Sequence, residues 1–572
     1  MSGHAVSGRT ETGDRRRRLL RRGLPALILL AGAATFVVLA IGAVLDSDAD
    51  DVAARFGAAW DRGDTAAMYA LLTPAAKAET SQGAFEEAYR DAAEVATVTG
   101  IDTGEAREGD DGGAVLPVAV RTRAFGTLRG ELELGVSDGG IAWERHHVLP
   151  GIPRGAALSR RTEAPPRARI LSRDGKVIAE GPADARTHPA GPVAAEIAGS
   201  IGPVEDKEAR RVLYSYGLRE DQPTGLTGLE RALESKVVGT PGGQLIAGGR
   251  VLASTRPRPA PDVRSTIDLD IQAAADQALA GRLGGIAALD ARTAEVRALA
   301  GIAFSAPQPP GSTFKIVTTA AALEARLVKP GDRFPVETHA VIDGVELDNA
   351  NRESCGGTFV NSFAHSCNSV FAPLGVRLGK KRLVAMAERF GWNREPGIAG
   401  AARSTLPAAG DIASELELGA TAIGQGRVLA TPLIMAQMAQ AVASRGVLRP
   451  PVLVAGARRP KGVRVMSRRT ADIIERLMIA VVESGTGQRA SLAPTKVAGK
   501  TGTAELEDTT VEDDPDAPPE PPGFKTDAWF TAYAPIRRPE LAVGVLFVRN
   551  GSGGDTAAPA ARIVLQAALA KR

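Results

Sequence analysis

The chain has 572 residues, of which 44% are hydrophobic and 24% charged, and its mean hydropathy is −0.05. These values describe a folded chain of several domains and exclude both wholesale disorder and a multi-span membrane protein. The six histidines form no His-x-x-x-His pair and there are two cysteines, which argues against a zinc hydrolase and a cysteine-rich scaffold. Arginine is abundant, but the net charge is only +3, so we expect no nucleic-acid partner.

The N-terminal region combines a basic tail with a long uncharged segment. Residues 1–23 contain seven arginines against Glu11 and Asp14, a net charge of +5. Residues 24–45 carry no charge and as a helix would span about 30 Å of hydrocarbon. A cleaved signal peptide is the alternative, but its apolar core usually covers only about 7–15 residues. We predict a single transmembrane helix with the N-terminus in the cytoplasm and the remaining chain outside.

Residues 47–150 are predicted to form a small α+β domain. Helical spacing of apolar residues and strand-like alternation give two helices and three strands: Val52–Trp60, Phe85–Ala96, Val115–Thr122, Leu128–Gly135 and Ile141–Leu149.

The remaining chain divides into an irregular region and a large C-terminal region. Residues 155–262 contain short predicted strands, including Ala168–Ile170 and Val177–Ala179. Residues 263–572 begin and end with strands and helices: Leu269–Arg282, Gly285–Leu289, Glu295–Ala300, Lys496–Ala504, Ala528–Ala534, Leu541–Val548 and Ala557–Ala570. Strands at both ends of one region imply a single sheet assembled from distant segments.

Ser312 and Lys315 form the first candidate for chemistry. Pro309-Pro310-Gly311 precedes them, and an apolar helix follows to about Leu327. Residues three apart share a helix face, so the hydroxyl and the amine are neighbours. A lysine shielded from water can be neutral enough to take the serine's proton. By itself this spacing is a weak signal, because a surface lysine in the first turn of a helix would produce it too.

Two further short motifs follow in the same region. Ser366-Cys367-Asn368 is the only Ser-x-Asn and Lys500-Thr501-Gly502 the only Lys-Thr-Gly in the chain. A chance Lys-Thr-Gly is expected roughly 0.1 times in a chain of this composition. Three single occurrences in this order are typical of penicillin-binding proteins and serine β-lactamases.

The chain therefore resembles a class B penicillin-binding protein, a monofunctional peptidoglycan D,D-transpeptidase. Further matching segments are Gly225–Glu230, Ile423–Gly426, Thr431–Leu433 and Gly485–Gly487. The resemblance implies a multidomain α+β protein in which residues 155–262 are the linker, or dimerisation, domain. Residues 263–572 would be a penicillin-binding/serine β-lactamase-like transpeptidase domain, an antiparallel sheet with helices on both sides. Residues 47–150 resemble, more loosely, a nuclear-transport-factor-two-like domain.

The resemblance also implies a role for each motif residue. Ser312 would be the acylated nucleophile, Lys315 its base, and Ser366 the proton shuttle to the leaving amine. Asn368 would hold the substrate's peptide amide, and Lys500 would shape the electrostatics. The substrate would be bound by Thr501, Gly502 and Thr503, with Thr501 and Thr503 on its terminal carboxylate. Backbone amides of Ser312 and Thr503 would form the oxyanion hole. No metal and no organic cofactor are expected.

The implied partners are peptidoglycan stem peptides ending in D-Ala-D-Ala, β-lactams as covalent inhibitors, the bacterial cell membrane and a glycosyltransferase of the division or elongation machinery. A D,D-carboxypeptidase, a serine β-lactamase, and a β-lactam sensor or inactive division scaffold stay open as alternatives. A bifunctional enzyme is not expected, because only about 100 residues precede the linker and a glycosyltransferase domain needs some 200.

Cys355 and Cys367 are predicted to form a disulfide. The predicted anchor places both outside the cytoplasm, where thiols tend to oxidise. They are 12 residues apart, and Gly356-Gly357 lets the loop fold back. The alternative is that Cys367 is a small buried filler and Cys355 an incidental loop thiol.

Overall fold

The computed structural model describes residues 49–506 and 525–570. The predicted tail, residues 1–23, and the predicted transmembrane segment, residues 24–45, lie outside these ranges. Within them, no helix has the length and apolar character needed to cross a membrane.

The first part of the described chain packs helices against an antiparallel sheet. Its elements are α1 (Ala49–Asp61), α2 (Thr65–Ala70), α3 (Pro74–Glu79), α4 (Gln82–Ala96), β1 (Val98–Thr103), β2 (Arg107–Glu108), β3 (Ala114–Thr122), β4 (Thr127–Leu134), β5 (Val136–Ser137) and β6 (Gly140–Ile141). Strands β1, β2 and β4 all pair with β3. Val52, Phe56 and Trp60 are buried on one face of α1, as the helical spacing predicts.

The predicted strand Ile141–Leu149 is wrong for most of its length. In this stretch only Gly140–Ile141 forms a strand, and Arg145–Val148 forms a 3₁₀ turn. The buried His147 ring accepts a hydrogen bond from the Glu144 backbone N–H at 3.0 Å. This local bond between a side chain and the backbone stabilises a turn in place of a strand.

The second part consists of three small sheets and short helices. Its elements are β7 (Leu158–Glu163), β8 (Ile170–Leu171), β9 (Val177–Ala179), α5 (Pro192–Ala198), β10 (Ile201–Gly202), α6 (Lys207–Ser215), β11 (Thr224–Gly225), α7 (Gly228–Ala232), α8 (Glu234–Val237), β12 (Gly242–Ala247), β13 (Arg250–Thr255) and β14 (Val263–Arg264). The strand Val177–Ala179 is confirmed, whereas the strand predicted at Ala168–Ile170 lies at Ile170–Leu171.

Glu230, the last residue of the segment Gly225–Glu230, is fully buried between two arginines. Its carboxylate lies 2.8 Å from Arg167 and 2.8 Å from Arg186. A buried carboxylate needs such partners, because an unpaired charge would be costly to remove from water. The ion pairs connect the strands and helices of this irregular part.

The third part is built on a five-stranded antiparallel sheet. Its helices are α9 (Leu269–Leu279), α10 (Lys315–Glu324), α11 (Phe359–Ala364), α12 (Asn368–Leu378), α13 (Lys380–Phe390), α14 (Glu415–Ala422), α15 (Pro432–Ala443), α16 (Arg468–Glu483) and α17 (Ala558–Leu569). Its strands are β15 (Gly284–Asp290), β16 (Val296–Gly301), β17 (Arg333–Glu337), β18 (His339–Ile342), β19 (Val345–Asp348), β20 (Cys355–Thr358), β21 (Val447–Leu448), β22 (Val463–Arg464), β23 (Ala498–Glu505), β24 (Thr526–Ala534) and β25 (Leu541–Phe547).

The order of strands in the large sheet is β16-β15-β25-β24-β23. Helices cover both faces of the sheet. Successive residues of a strand point to opposite sides, so each strand contributes side chains to both helical layers. In β24, Trp529 and Tyr533 pack in the core that contains α10 and α15. Phe530 packs on the other side, against α9 and α17. The expected α+β fold, with a sheet between two layers of helices, is confirmed for this part, and β23 lies at one edge.

Candidate active site

The three motif segments meet at the β23 edge of the sheet. Ser312 lies in the 3₁₀ turn Gly311–Phe314 that leads into α10, and Ser366 lies between α11 and α12. Lys500 lies in β23.

The turn that carries Ser312 is pressed against β23. Gly311 has a φ of +50°, and a Cβ atom there would lie 2.4 Å from the Thr503 carbonyl oxygen. Only glycine tolerates both the conformation and the close approach. The Gly311 N–H donates to the Gly424 carbonyl at 2.9 Å, so the loop Ile423–Gly426 supports the turn from the other side.

Trp529 holds the chain just before the nucleophile. Its indole N–H donates to the Pro309 carbonyl at 2.7 Å, and the Thr313 hydroxyl donates to the Pro310 carbonyl at 2.8 Å. Ser312 itself is half-buried. The nucleophile therefore stands on a backbone that is fixed from three sides while its side chain keeps some access to solvent.

Lys315 is fully buried and directed toward the second motif. Its Nζ donates to the Ser366 carbonyl and to Asn368 Oδ1, both at 2.6 Å, and lies 3.3 Å from Ser366 Oγ. Burial lowers the pKa of Lys315 well below its usual value, and the nearby Lys500 lowers it further. A neutral amine can make the two short donations and keep a lone pair with which to accept a proton.

Lys500 is the second buried amine of the site. Its Nζ donates to Ser366 Oγ at 2.8 Å and to the Thr501 carbonyl at 3.0 Å. Burial lowers the pKa of Lys500 to about 7. The Ser366 hydroxyl oxygen thus lies within hydrogen-bonding distance of both lysine amines.

Ser366 has a backbone conformation that is unusual for its residue type. Its φ is +62°, in the left-handed region that costs a non-glycine residue about 1–3 kcal/mol. The end of α11 enforces it, because Cys367 N–H donates to the Ser362 carbonyl at 2.9 Å. A disulfide between Cys367 and Cys355, with Cα atoms 5.4 Å apart, ties the next residue to β20.

Asn368 is held at both ends of its amide. Its Oδ1 accepts from Lys315, and its Nδ2 donates to the Asp348 carbonyl at 2.7 Å. One amide hydrogen and one lone pair are left, which is sufficient for a substrate peptide group. Asp348 ends the hairpin β18–β19, so this hairpin also positions Asn368.

The residues predicted to bind the substrate lie in β23. Thr501 is buried and its Oγ1 lies 2.5 Å from Thr486 Oγ1. Thr503 Oγ1 accepts a hydrogen bond from the Gly553 backbone N–H at 3.3 Å. A Cβ atom at Gly502 would lie 2.6 Å from the Pro310 carbonyl oxygen, so glycine here allows β23 to approach the turn that carries Ser312.

The structure brings all eight predicted site residues to one place and adds contacts that the sequence did not predict. Thr486 and Gly553 contact the threonines of β23. The sequence marks the segment Gly485–Gly487 as one that matches the family, but it assigns no role to these residues. Its pairing with Thr501, 15 residues later, depends on how α16 packs beside β23, which no local pattern encodes.

One group of side chains in the described part of the chain has metal-like spacing. The ligand atoms of His339, Glu346 and Asp348 lie within 4.8 Å of one another. Asp348 is already paired with Arg352 Nε at 2.9 Å, and we assign no metal to this group.

Comparison with known proteins agrees with this geometry. Residues 284–566 match the family model described as penicillin binding protein transpeptidase domain. The peptidoglycan D,D-transpeptidase PbpA of Mycolicibacterium smegmatis is 35% identical over 291 residues, which cover 47% of this chain and 56% of that protein. The chain thus spans little more than half the length of this curated relative.

Solved structures are similar to a larger share of this chain. The D,D-transpeptidase domain of a peptidoglycan glycosyltransferase from Eggerthella lenta has 28% identity and a TM-score of 0.56, covering 71% of this chain and 98% of that one. The imipenem acyl-enzyme complex of penicillin-binding protein A from Mycobacterium tuberculosis has 25% identity and a TM-score of 0.55, covering 70% and 98%.

Proposed function

Because residues 284–566 belong to the family of penicillin binding protein transpeptidase domains, we propose that the chain is a peptidoglycan D,D-transpeptidase that works through an acyl-enzyme on Ser312. The observation that carries the proposal is the Lys315 amine. It is buried, its pKa is lowered, and it bonds to both Ser366 and Asn368. A serine nucleophile needs such a neutral base at neutral pH.

In the acylation step, Ser312 Oγ attacks the carbonyl carbon of the penultimate D-alanine and its proton passes to Lys315 Nζ. The negative charge that develops on the carbonyl oxygen is stabilised by the backbone N–H groups of Ser312 and Thr503. The peptide C–N bond then breaks. Ser366 passes its hydroxyl proton to the departing amine of the terminal D-alanine and regains one from Lys315, which holds the proton taken from Ser312.

In the second step, the amine of a neighbouring stem peptide attacks the ester carbonyl carbon. A new peptide bond forms and the ester C–O bond breaks, while the proton lost by the attacking amine passes through Lys315 to Ser312 Oγ. A β-lactam undergoes the first step by ring opening, and its leaving amine stays attached. β-Lactams are therefore expected to inhibit covalently, and the imipenem acyl-enzyme of the similar Mycobacterium tuberculosis protein supports this expectation.

The proposed setting follows from the sequence. Residues 24–45 would anchor the chain in the bacterial membrane with residues 1–23 in the cytoplasm, and the catalytic residues would lie outside. Residues 47–150 would be a nuclear-transport-factor-two-like domain, 155–262 the linker and 263–572 the transpeptidase domain. A separate glycosyltransferase of the division or elongation machinery would supply the glycan strands.

The test is labelling with fluorescent penicillin, followed by turnover of a D-Ala-D-Ala peptide with an amine acceptor. We expect stoichiometric labelling of the wild type, none of Ser312→Ala, and a product joined to the acceptor. Labelling of Ser312→Ala would refute the assignment. Hydrolysed peptide alone would indicate a carboxypeptidase, rapid loss of the label a β-lactamase, and stable labelling without any turnover a sensor or scaffold.

A further inference from the structure

Each threonine hydroxyl of β23 meets a polar group from outside the strand. Thr501 Oγ1 lies 2.5 Å from Thr486 Oγ1, in the loop after α16. Thr503 Oγ1 accepts from the backbone N–H of Gly553, which lies just before α17. Two separate segments therefore contact the strand that is proposed to bind the substrate's terminal carboxylate.

The number of hydrogens that each group can donate determines the direction of these hydrogen bonds. A threonine hydroxyl has one hydrogen to donate, and an ionised carboxylate only accepts. A backbone N–H can only donate, so Thr503 Oγ1 accepts from Gly553 and keeps its own hydrogen for another acceptor. Thr501 would be in the same state if Thr486 is the donor of their shared bond.

The surroundings of Thr486 favour that direction. Among the described residues, the other acceptor within its reach is the Ala364 carbonyl oxygen, at 3.4 Å from Thr486 Oγ1. This oxygen already accepts from the Thr486 backbone N–H at 3.1 Å, and a contact of 3.4 Å is long for a hydroxyl donor. The 2.5 Å contact with Thr501 is the better place for the hydroxyl hydrogen.

We propose that Thr486 is a positioning residue that donates its hydrogen to Thr501 Oγ1 and so directs the Thr501 hydroxyl hydrogen to the substrate's carboxylate. This inference rests on the proposed function and deepens it. The loop that carries Thr486 packs closely against α11, the helix that leads to Ser366. A Cβ atom at Gly485 would lie 2.2 Å from the Ala364 carbonyl oxygen of that helix. Loss of the donor should weaken binding of the carboxylate and leave the chemistry at Ser312 intact.

The experiment uses stopped-flow acylation by a β-lactam with a free carboxylate, separating its dissociation constant K from the acylation rate constant. Thr486→Val keeps the shape and removes the donor, so we expect K to rise about tenfold, the scale of one hydrogen bond to a charged group, with the rate constant within about twofold. Thr486→Ser retains the hydroxyl and should restore K. Introduced into Thr501→Val, Thr486→Val should have no further effect, because the path through Thr501 is absent.

An unchanged K in both Thr486→Val and Thr486→Ala would overturn the inference. So would an equal rise of K in the Thr501→Val background, or failure of Thr486→Ser to restore K. Melting temperatures of all variants are compared with the wild type, so that a folding defect is recognised. These outcomes leave the proposed function standing as long as the wild type is labelled and Ser312→Ala is not. A wild type that no β-lactam acylates would refute both.

Discussion

Lys315 and Lys500 both direct their amines to the same atom, Ser366 Oγ, at 3.3 Å and 2.8 Å. Both amines are buried, and two positive charges so close together in a low-dielectric site repel each other. Burial, and in addition the charge on Lys500, lowers the pKa of Lys315 well below its usual value, and we predict that Lys315 loses its proton first as the pH rises. Near neutral pH we then expect a neutral base beside a Lys500 that is still partly charged, since the pKa of Lys500 is about 7.

This order of deprotonation predicts a bell-shaped pH dependence of acylation. The rate should rise as Lys315 loses its proton, because only the neutral amine can act as a base. It should fall as the pH passes the pKa of Lys500, about 7 in the free protein, since a neutral Lys500 no longer attracts the substrate's carboxylate. The measurement is the second-order rate constant of acylation by a β-lactam from pH 5 to 9, which covers both the rise and the fall.

Lys496 offers a control for the pH profile. It is exposed and pairs with Glu483 at 2.7 Å, so Lys496→Met should keep the wild-type profile. Lys500→Arg should lose the alkaline limb, because a guanidinium stays protonated. A wild-type rate that does not change across this pH range would contradict the assigned order.

The sequence predicts those parts of the fold that local patterns determine. The spacing of Val52, Phe56 and Trp60 predicts α1, and alternation predicts β3 and β4, because burial of one face enforces each period. The strand expected at Ile141–Leu149 is wrong, since the bond between His147 and the Glu144 backbone is a specific contact that periodicity cannot show.

The active site also has a part that the sequence predicts and a part that it does not. Its motif residues could be chosen because the three short patterns occur once each, and their order is typical of one family. Their geometry could not be predicted. The left-handed conformation of Ser366 arises where α11 ends. The contact of Thr486 with Thr501 arises because the loop after α16 packs beside β23, and no local sequence pattern shows either feature.

Gly311→Ala should nearly abolish acylation while the protein still folds. The added Cβ would lie 2.4 Å from the Thr503 carbonyl oxygen at a φ of +50°, so the turn must move away from β23. Ser312 would then move away from Thr503, and a displacement of about 1 Å can cost a hundredfold in rate. The measurement is the acylation rate together with the melting temperature.

Gly331→Ala is the matched control, because no atom lies within 4 Å of its Cβ position. It should acylate at the wild-type rate. If Gly311→Ala also kept that rate, the close contact between the turn and β23 would have no part in placing the nucleophile.

The membrane segment can be tested on protein from native membranes. If residues 24–45 are an uncleaved anchor, the mature chain should begin at or near Met1 and should resist extraction by salt or alkali. N-terminal sequencing that starts near Asp46 would identify a cleaved signal peptide instead.

The disulfide between Cys355 and Cys367 should support both stability and acylation. It closes a loop of 12 residues, which contributes about 3 kcal/mol to the free energy of unfolding on the chain-entropy model. It also fixes the residue between Ser366 and Asn368, and Ser369 Oγ donates to the Cys355 carbonyl at 3.2 Å. Reduction, or Cys355→Ser, should therefore lower the melting temperature and the acylation rate together, because Ser366 can then relax from its strained conformation.

The double variant Cys355→Ser/Cys367→Ser separates this effect from other actions of the reductant. It should match the reduced wild type in both measurements and should not respond to reductant. Thiol titration of denatured, unreduced protein should find no free thiol. Two free thiols would show that the bond does not form in solution, and an unchanged acylation rate after complete reduction would show that Ser366 is held by the end of α11 and by Lys500 without it.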